Sequence, residues 1–270
     1  MAGHPILVGT SGYSYQDWKG PFYPADIGDG DMLAFYARRF PVVEINFTYY
    51  RIPAARTIAA IVRKAPGMTF AAKLTGEMTH EGKLTKGLVK EYRQGVAPMT
   101  DAGVLGCVLA QFPWRFAYSS AAKVFLKELA AHFGDLGLVA EMRNVSWARR
   151  DAFAELKKLD VGFCNVDEPA LKGLMPATAE VTSDVGYFRF HGRNREKWWR
   201  HGDAGERYDY LYAEGELAEW VPRIQDVAAK AKKTYVFMNN HPLGKAVTNA
   251  EMMMEMLGVK FEPPGDADYF

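Results

Sequence analysis

Cysteine is nearly absent from this chain. Only Cys107 and Cys164 occur in 270 residues, each inside an apolar run. That excludes a disulfide framework and is the usage expected of a reducing compartment. No apolar run approaches the ~20 residues of a membrane span, and the opening MAGHPILVGTSG lacks the basic start and long apolar stretch of a secretory signal. The expectation is a cytoplasmic protein with no membrane partner. A charge of one sign is missing too. Lys plus Arg number 33 against 32 Asp plus Glu, for a net charge of +1, so no global field draws the chain to nucleic acid or acidic membranes. The spacings H-x-H and H-E-x-x-H do not occur, nor does G-x-G-x-x-G. The early GTSGYS has two glycines without the dinucleotide-binding pattern. Internal repeats and low-complexity segments are lacking as well.

What is present is alternation. Short β-branched or aromatic runs stand at Ile6–Gly9, Val42–Asn46, Thr69–Leu74, Gly106–Phe112, Leu138–Met142, Gly162–Val166, Gly186–Phe190 and Tyr235–Met238. Most are continuously apolar, as parallel strands covered on both faces require. Helical patterns separate them: 31–40 after a capping Asp, 54–64 after Pro53, 119–134 capped by Ser119 or Ser120, and a helix from Ser146 through Leu159. A further stripe runs from Leu217 to Ala228 with Pro222 as an awkward interior residue, and Thr248 is a candidate cap for 249–257. Lys83–Thr100 and Ala170–Ser183 read as a short irregular helix each. Eight strand–helix alternations in this length predict an α/β protein, a closed (β/α)8 TIM barrel in one domain. The barrel is placed over residues 1–258 and a C-terminal tail over 259–270.

In such a barrel the site lies at the C-terminal strand ends. Those ends carry Glu44 and Asn46, Lys73, Gln111, Glu141 and Arg143, Asn165 and Asp167, Arg189 and His191, then Asn240 and His241. The stretch Tyr187–Trp199, YFRFHGRNREKWW, shows the logic. Side chains alternate faces along a strand. One face is therefore aromatic, and the other carries Tyr187, Arg189 and His191. Any one polar residue is simply where polarity resumes after a strand. Glu44, Lys73, Glu141 and Arg189 are different, because each stands inside an apolar run and needs a buried partner. Aromatic residues follow the strands, Tyr13, Trp18, Tyr50 and Trp147 among them. Such rings can stack a ligand, although for a single ring loop packing is the commoner role. Arg193 through Trp199 reads as a lid.

The runs GTSGYSYQDWKGPFYP, VEINFTYYRIP, FAAKLTGEMTH, LAQFPWRF, AEMRNVSW, CNVDEP, YFRFHGRN and MNNH resemble the YecE-like family, a widespread bacterial and archaeal family classed as a domain of unknown function. The resemblance spans Gly9 to about Leu257 and implies a TIM-barrel fold. It also implies a site at Glu44, Asn46, Tyr50, Arg51, Lys73, His80, Gln111, Glu141, Arg143, Trp147, Asp167, Arg189, His191 and Asn240. The sequence departs from the family where Tyr49 replaces a usual Phe. An endonuclease-like role has been suggested for the family from fold similarity, which is a weak warrant.

Several chemistries compete for these residues. A metal-dependent phosphodiesterase has enough carboxylates and histidines for one ion, but Lys73 and Arg189 would repel it. A glycosidase needs two carboxylates flanking the bond, usually on strands four and seven of such barrels, and those strands end here in Gln111 and Arg189/His191. Lys73 can be an imine-forming lysine, but an ion pair with Glu44 or Glu141 would keep it protonated and inert. Fewest conflicts arise for acid–base chemistry on a small anionic or polyhydroxylated ligand. Lys73, Arg143, Arg189 and Arg193 would then clamp an anion, and Glu44, Lys73, Glu141, Asp167 and His191 would be the reactive groups. Tyr13, Trp18, Asn46, Tyr50, Arg51, His80, Gln111, Trp147, Asn165, Asn240 and His241 complete the ligand-binding set. No cofactor is required, and a single divalent metal is not excluded. Nucleic acid is a less favoured partner, with the basic run Arg193–Arg207 as its candidate surface. A non-catalytic binding protein is the remaining alternative.

Overall fold

The computed structural model describes residues 4–203, 205–263 and 265. Eight strands pair in parallel, each with its sequence neighbour, and the last closes on the first: β1 Ile6–Ser11, β2 Val42–Ile45, β3 Thr69–Lys73, β4 Leu105–Gln111, β5 Leu138–Glu141, β6 Gly162–Asp167, β7 Val185–Phe190 and β8 Lys233–Met238. All eight expected strands are present, with ends shifted by one or two residues. The closed single-domain (β/α)8 barrel is therefore the architecture. Cys107 and Cys164 are free and buried inside it.

Around the barrel lie α1 Met32–Ala37, α2 Ala55–Lys64, α3 Gly76–Thr79, α4 Lys86–Asp101, α5 Ser120–Phe133, α6 Arg150–Lys158, α7 Glu214–Ala218, α8 Val221–Ala228 and α9 Lys245–Leu257. Each long helix turns one apolar stripe inward. In α5 the stripe is Ala122, Leu126, Leu129 and Phe133, and burial of this kind stabilises by roughly 1.5–3 kcal/mol per large side chain. Ser119 caps α5 by accepting from the Ala122 N–H at 3.1 Å.

Five helix expectations are corrected. Ser146 caps no helix; its hydroxyl accepts from the Tyr118 N–H, while Asn144 caps the 3-10 turn ahead of α6. Pro222 interrupts nothing, because the chain breaks after α7 and Pro222 sits in the first turn of α8, where its missing N–H costs no bond. Thr248 lies inside α9, which starts three residues earlier at Lys245. The segment read as short and irregular is the 16-residue α4, capped by Thr85 and carrying Pro98 near its end. Residues 168–184 connect β6 to β7 without a helix. The tail expected over 259–270 lies partly outside the described residues.

Candidate active site

The barrel mouth is organised around Arg189 on β7. Tyr187 and Arg189 point inward, and His191 follows on the same face. Arg189 Nη1 donates to Glu141 Oε2 at 2.6 Å, and Nη2 donates to Glu44 Oε1 at 2.7 Å and to Ser11 Oγ at 3.2 Å. The Tyr187 hydroxyl donates to the other Glu44 oxygen at 2.6 Å. Arg143 Nε lies 2.7 Å from Glu141 Oε1, and its Nη1 donates to Glu168 Oε2 at 2.9 Å. The result is an alternating row, Glu44–Arg189–Glu141–Arg143–Glu168, with every member buried. Alternation is what lets five charges share a low-dielectric interior.

This row sets the ionisation of its neighbours. Burial alone would raise the Glu141 carboxyl, but Arg143 and Arg189 hold it well below the usual range. Burial, reinforced by the Arg143 charge, pushes the His191 pKa down to about 3. Asn239 Nδ2 lies 2.9 Å from His191 Nδ1. An amide nitrogen only donates, so Nδ1 is the acceptor and the ring proton sits on Nε2, 3.3 Å from Glu141 Oε1. His191 is thus a neutral spacer; the expectation that it moves protons near neutral pH is corrected. Burial raises Glu168 to about 7 even though Arg143 and the Met175 N–H favour its charged form.

Above the row opens a cavity of about 670 Å³. Tyr13, Tyr15, Phe47, Tyr49, Tyr50 and Tyr208 supply rings, Asn46, Gln111 and Asn239 supply amides, and Lys73 and Arg189 stand at its base. Asp203, Gly205 and Arg207 close one side from the segment after β7. Gly12 turns the chain at φ +85°, and a Cβ there would meet the Tyr15 hydroxyl at 2.5 Å. Tyr15 in turn donates to the Ser11 carbonyl at 2.7 Å and stacks on His241 with centroids 4.6 Å apart. Lys73 is 9 % exposed. Its Nζ reaches Gln111 Oε1 at 3.4 Å and lies 4.8 Å from the centre of the Tyr49 ring. Among the described residues no carboxylate is within ion-pair distance of it. The expected pairing with Glu44 or Glu141 is therefore corrected: Arg189 occupies both. Burial, then the Arg189 charge, lowers the Lys73 pKa to about 8 against the opposing pull of Glu44 and Glu141.

A family model described as "Protein of unknown function DUF72" matches residues 7–268. The chain belongs to the DUF72 family. That finding replaces the YecE-like name expected from the motifs. UPF0759 protein YunF of Bacillus subtilis is 27% identical, over 98% of this chain and all of that protein. A DUF72 family protein from Thermotoga maritima is 37% identical with a TM-score of 0.87, covering 94% of this chain and 100% of that one. A second from Enterococcus faecalis is 26% identical with a TM-score of 0.84, covering 97% and 99%.

In this DUF72 barrel the structure brings Glu44, Asn46, Lys73, Gln111, Glu141, Arg143, Arg189 and His191 together in or just beneath the cavity, with Tyr13 and His241 in its wall. Tyr50 stands on its rim, 83% exposed, where an adjoining cavity of about 650 Å³ begins; Arg51 and His80 line that second space. Burial and the Lys73 charge lower His80 to about 4.

Other expected site residues lie elsewhere. Asp167 and Asn165 point outward, away from the cavity. Asp167 accepts from Arg193, the Tyr212 hydroxyl and the Trp220 indole, the last two at 2.7 Å each. Asn165 pins the β6–β7 connection through Thr178 and Glu180. Arg193 is spent on Asp167, Glu216 and Glu219. Asn240 donates to the Tyr210 carbonyl and to Asn249. Trp18 and Trp147 are fully buried and bond the carbonyls of His241 and Phe116. These are packing roles, so the reactive role given to Asp167 and the ligand roles given to the others are corrected.

Glu168 is a buried charge that reasoning from sequence missed, and Tyr15, Phe47, Tyr49, Tyr208 and Asn239 of the cavity wall were not in the expected site set either. Cys164 and Val166 pair in register with Tyr187 and Arg189, so the inward parity of β6 runs Cys164, Val166, Glu168. Two apolar residues on that parity hid it. The expected four-cation clamp shrinks as well, since Arg143, Arg189 and Arg193 are each paired with carboxylates, leaving Lys73, with Arg207 elsewhere in the cavity wall. No group of three or more His, Cys, Asp or Glu side chains is placed to hold a metal ion among the described residues. No helix among them is long and apolar enough to cross a membrane.

Proposed function

We propose that this barrel is an enzyme acting on a small polyhydroxylated molecule, with room for one anionic group, by acid–base chemistry at Lys73. The observation that carries the reading is the make-up of the 670 Å³ cavity: ring walls, three amides and one amine with no carboxylate partner among the described residues, over a neutralised charge row. Ring faces pack against C–H surfaces, and side-chain amides both donate to and accept from hydroxyls. The paired arginines have little charge left for a polyanion, which favours hydroxyl groups over several phosphates. Lys73 titrates close to neutral pH, so it can both take and return a proton, and Glu141 and Arg189 keep the surrounding field fixed. Ligand-observed NMR with neutral polyols, sugars and sugar monophosphates tests the reading. Asn46→Ala or Gln111→Ala should weaken a bound member of this set about tenfold, the worth of one hydrogen bond. A set that binds equally well to both variants, or not at all to the wild type, removes it.

A further inference from the structure

Lys73 differs from every other buried cation of the barrel mouth. Arg143 and Arg189 each contact two carboxylates. Lys73 is as deeply placed as Arg143, yet among the described residues its amine has only the long contact to Gln111 and the face of Tyr49. Its backbone is held firmly: the carbonyl accepts from the Thr48 hydroxyl at 2.7 Å and the Tyr92 hydroxyl at 3.0 Å. A fixed strand end thus delivers an uncommitted amine to the base of a cavity large enough for a sugar-sized molecule. Burial lowers the Lys73 pKa to about 8 and so populates the free amine, a form that an amine kept only to bind an anion does not use.

We infer that Lys73 is a nucleophile that condenses with the carbonyl group of a small hydroxylated aldehyde or ketone, an open-chain sugar or a fragment of one, to form an imine. The inference rests on the pocket reading above, replaces proton transfer by Lys73 with covalent attack, and names the substrate class. In the step, the Nζ lone pair forms the C–N bond and the carbonyl π pair moves to oxygen. Both amine protons then depart with that oxygen as one water, leaving C=N. No oxidant or reductant is consumed. The free amine is the reacting form. With a pKa of about 8, roughly a tenth of Lys73 is free amine at pH 7, against about three in ten thousand for an unperturbed lysine. The Tyr49 phenol, whose pKa burial raises, stays protonated on the same wall as a donor to the departing oxygen. Asn46, Gln111 and Asn239 face the hydroxyl groups that would distinguish such a substrate from a simple aldehyde.

Reductive trapping tests this on the full-length protein. Glycolaldehyde or dihydroxyacetone is added with cyanoborohydride from pH 6 to 9, and modified lysines are mapped by mass spectrometry. Lys73 should be labelled at least tenfold faster than any surface lysine, with a rate that rises to half its plateau near pH 8. Lys73→Arg should remove that fast phase alone, and Lys73→Met gives the same reading should the arginine variant fold poorly. Labelling of Lys73 no faster than that of surface lysines overturns the inference, and this arm needs only the wild type. A polyol without a carbonyl, xylitol, separates the two readings. NMR-detected xylitol binding that Asn46→Ala weakens, with no preferential trapping, keeps the pocket and rejects the imine. Neither binding nor trapping rejects both.

Discussion

Glu168 shows how a single carboxyl reports on the interior. Its folded pKa, about 7, stands above the ordinary 4.5. A raised carboxyl contributes stability that is fully present below pH 4.5 and lost as pH rises through 7. The shift corresponds to about 3 kcal/mol at most. Glu168→Gln should abolish that slope: the stability difference between wild type and variant, from urea unfolding at pH 5 to 8, should move against the wild type as pH rises. A constant difference would place the Glu168 carboxyl at its ordinary pKa. Arg189 is the complementary case. Arg189→Met strands Glu44 and should cost about 3–5 kcal/mol in the same measurement, as removal of one partner of a buried pair does. Adding Glu44→Gln should restore part of the loss, because Glu141 retains Arg143. If the double variant is no more stable than the single, the Glu44–Arg189 pair is not the seat of the cost.

At the scale of elements, the segment after β7 is the part of the barrel most dependent on a few polar contacts. Gly192 begins it at φ +87°, where a Cβ would meet Tyr210 Cβ at 2.8 Å. Asp167 then ties β6 to Arg193, Tyr212 and Trp220, so one outward carboxylate anchors the segment after β7. Trp198 is buried over His191 and Arg143, while Asp203, Gly205, Arg207 and Tyr208 face the cavity. Against the lid expected at 193–199, the residues of the segment after β7 that line the cavity are Asp203, Gly205, Arg207 and Tyr208. Asp167→Ala leaves two buried donors, the Tyr212 hydroxyl and the Trp220 indole, without an acceptor and should cost about 3 kcal/mol. Amide exchange should quicken between residues 192 and 220 while β1 to β5 stay protected. Uniform acceleration over the whole barrel would argue against a local anchor. The strands themselves were plain from continuous apolar runs. The helix boundaries that went astray, at Ser146, Pro222 and Thr248, turned on whether a polar or cyclic residue caps, starts or fills a helix, and neighbouring loops decided that.

For the molecule as a whole, charge is balanced both in total and locally. Net charge is +1, and two cations of the basic run after β7 are paired with carboxylates, Arg193 with three and Lys197 with Glu206. Nucleic-acid affinity depends on cations free to displace counterions. Fluorescence anisotropy with single- and double-stranded DNA and RNA should therefore show no binding that weakens steeply between about 50 and 200 mM salt. A steep slope would return nucleic acid to the front.

By itself the sequence determined the number and type of strands, because a parallel strand covered on both faces must be apolar throughout, and no tertiary contact is needed to see that. It also determined that Glu44, Lys73, Glu141 and Arg189 needed unusual surroundings, since charges inside apolar runs carry that information locally. Only the tertiary structure decided which surroundings each received. A continuously apolar strand does not reveal which parity faces the barrel axis, so Asp167 read as a site residue while Glu168 went unnoticed. Nor does sequence tell which of several charges pair. Arg189 reaches both Glu44 and Glu141 because closing β8 on β1 makes the mouth narrow enough for one guanidinium to span them. Lys73 is left without a carboxylate for the same reason.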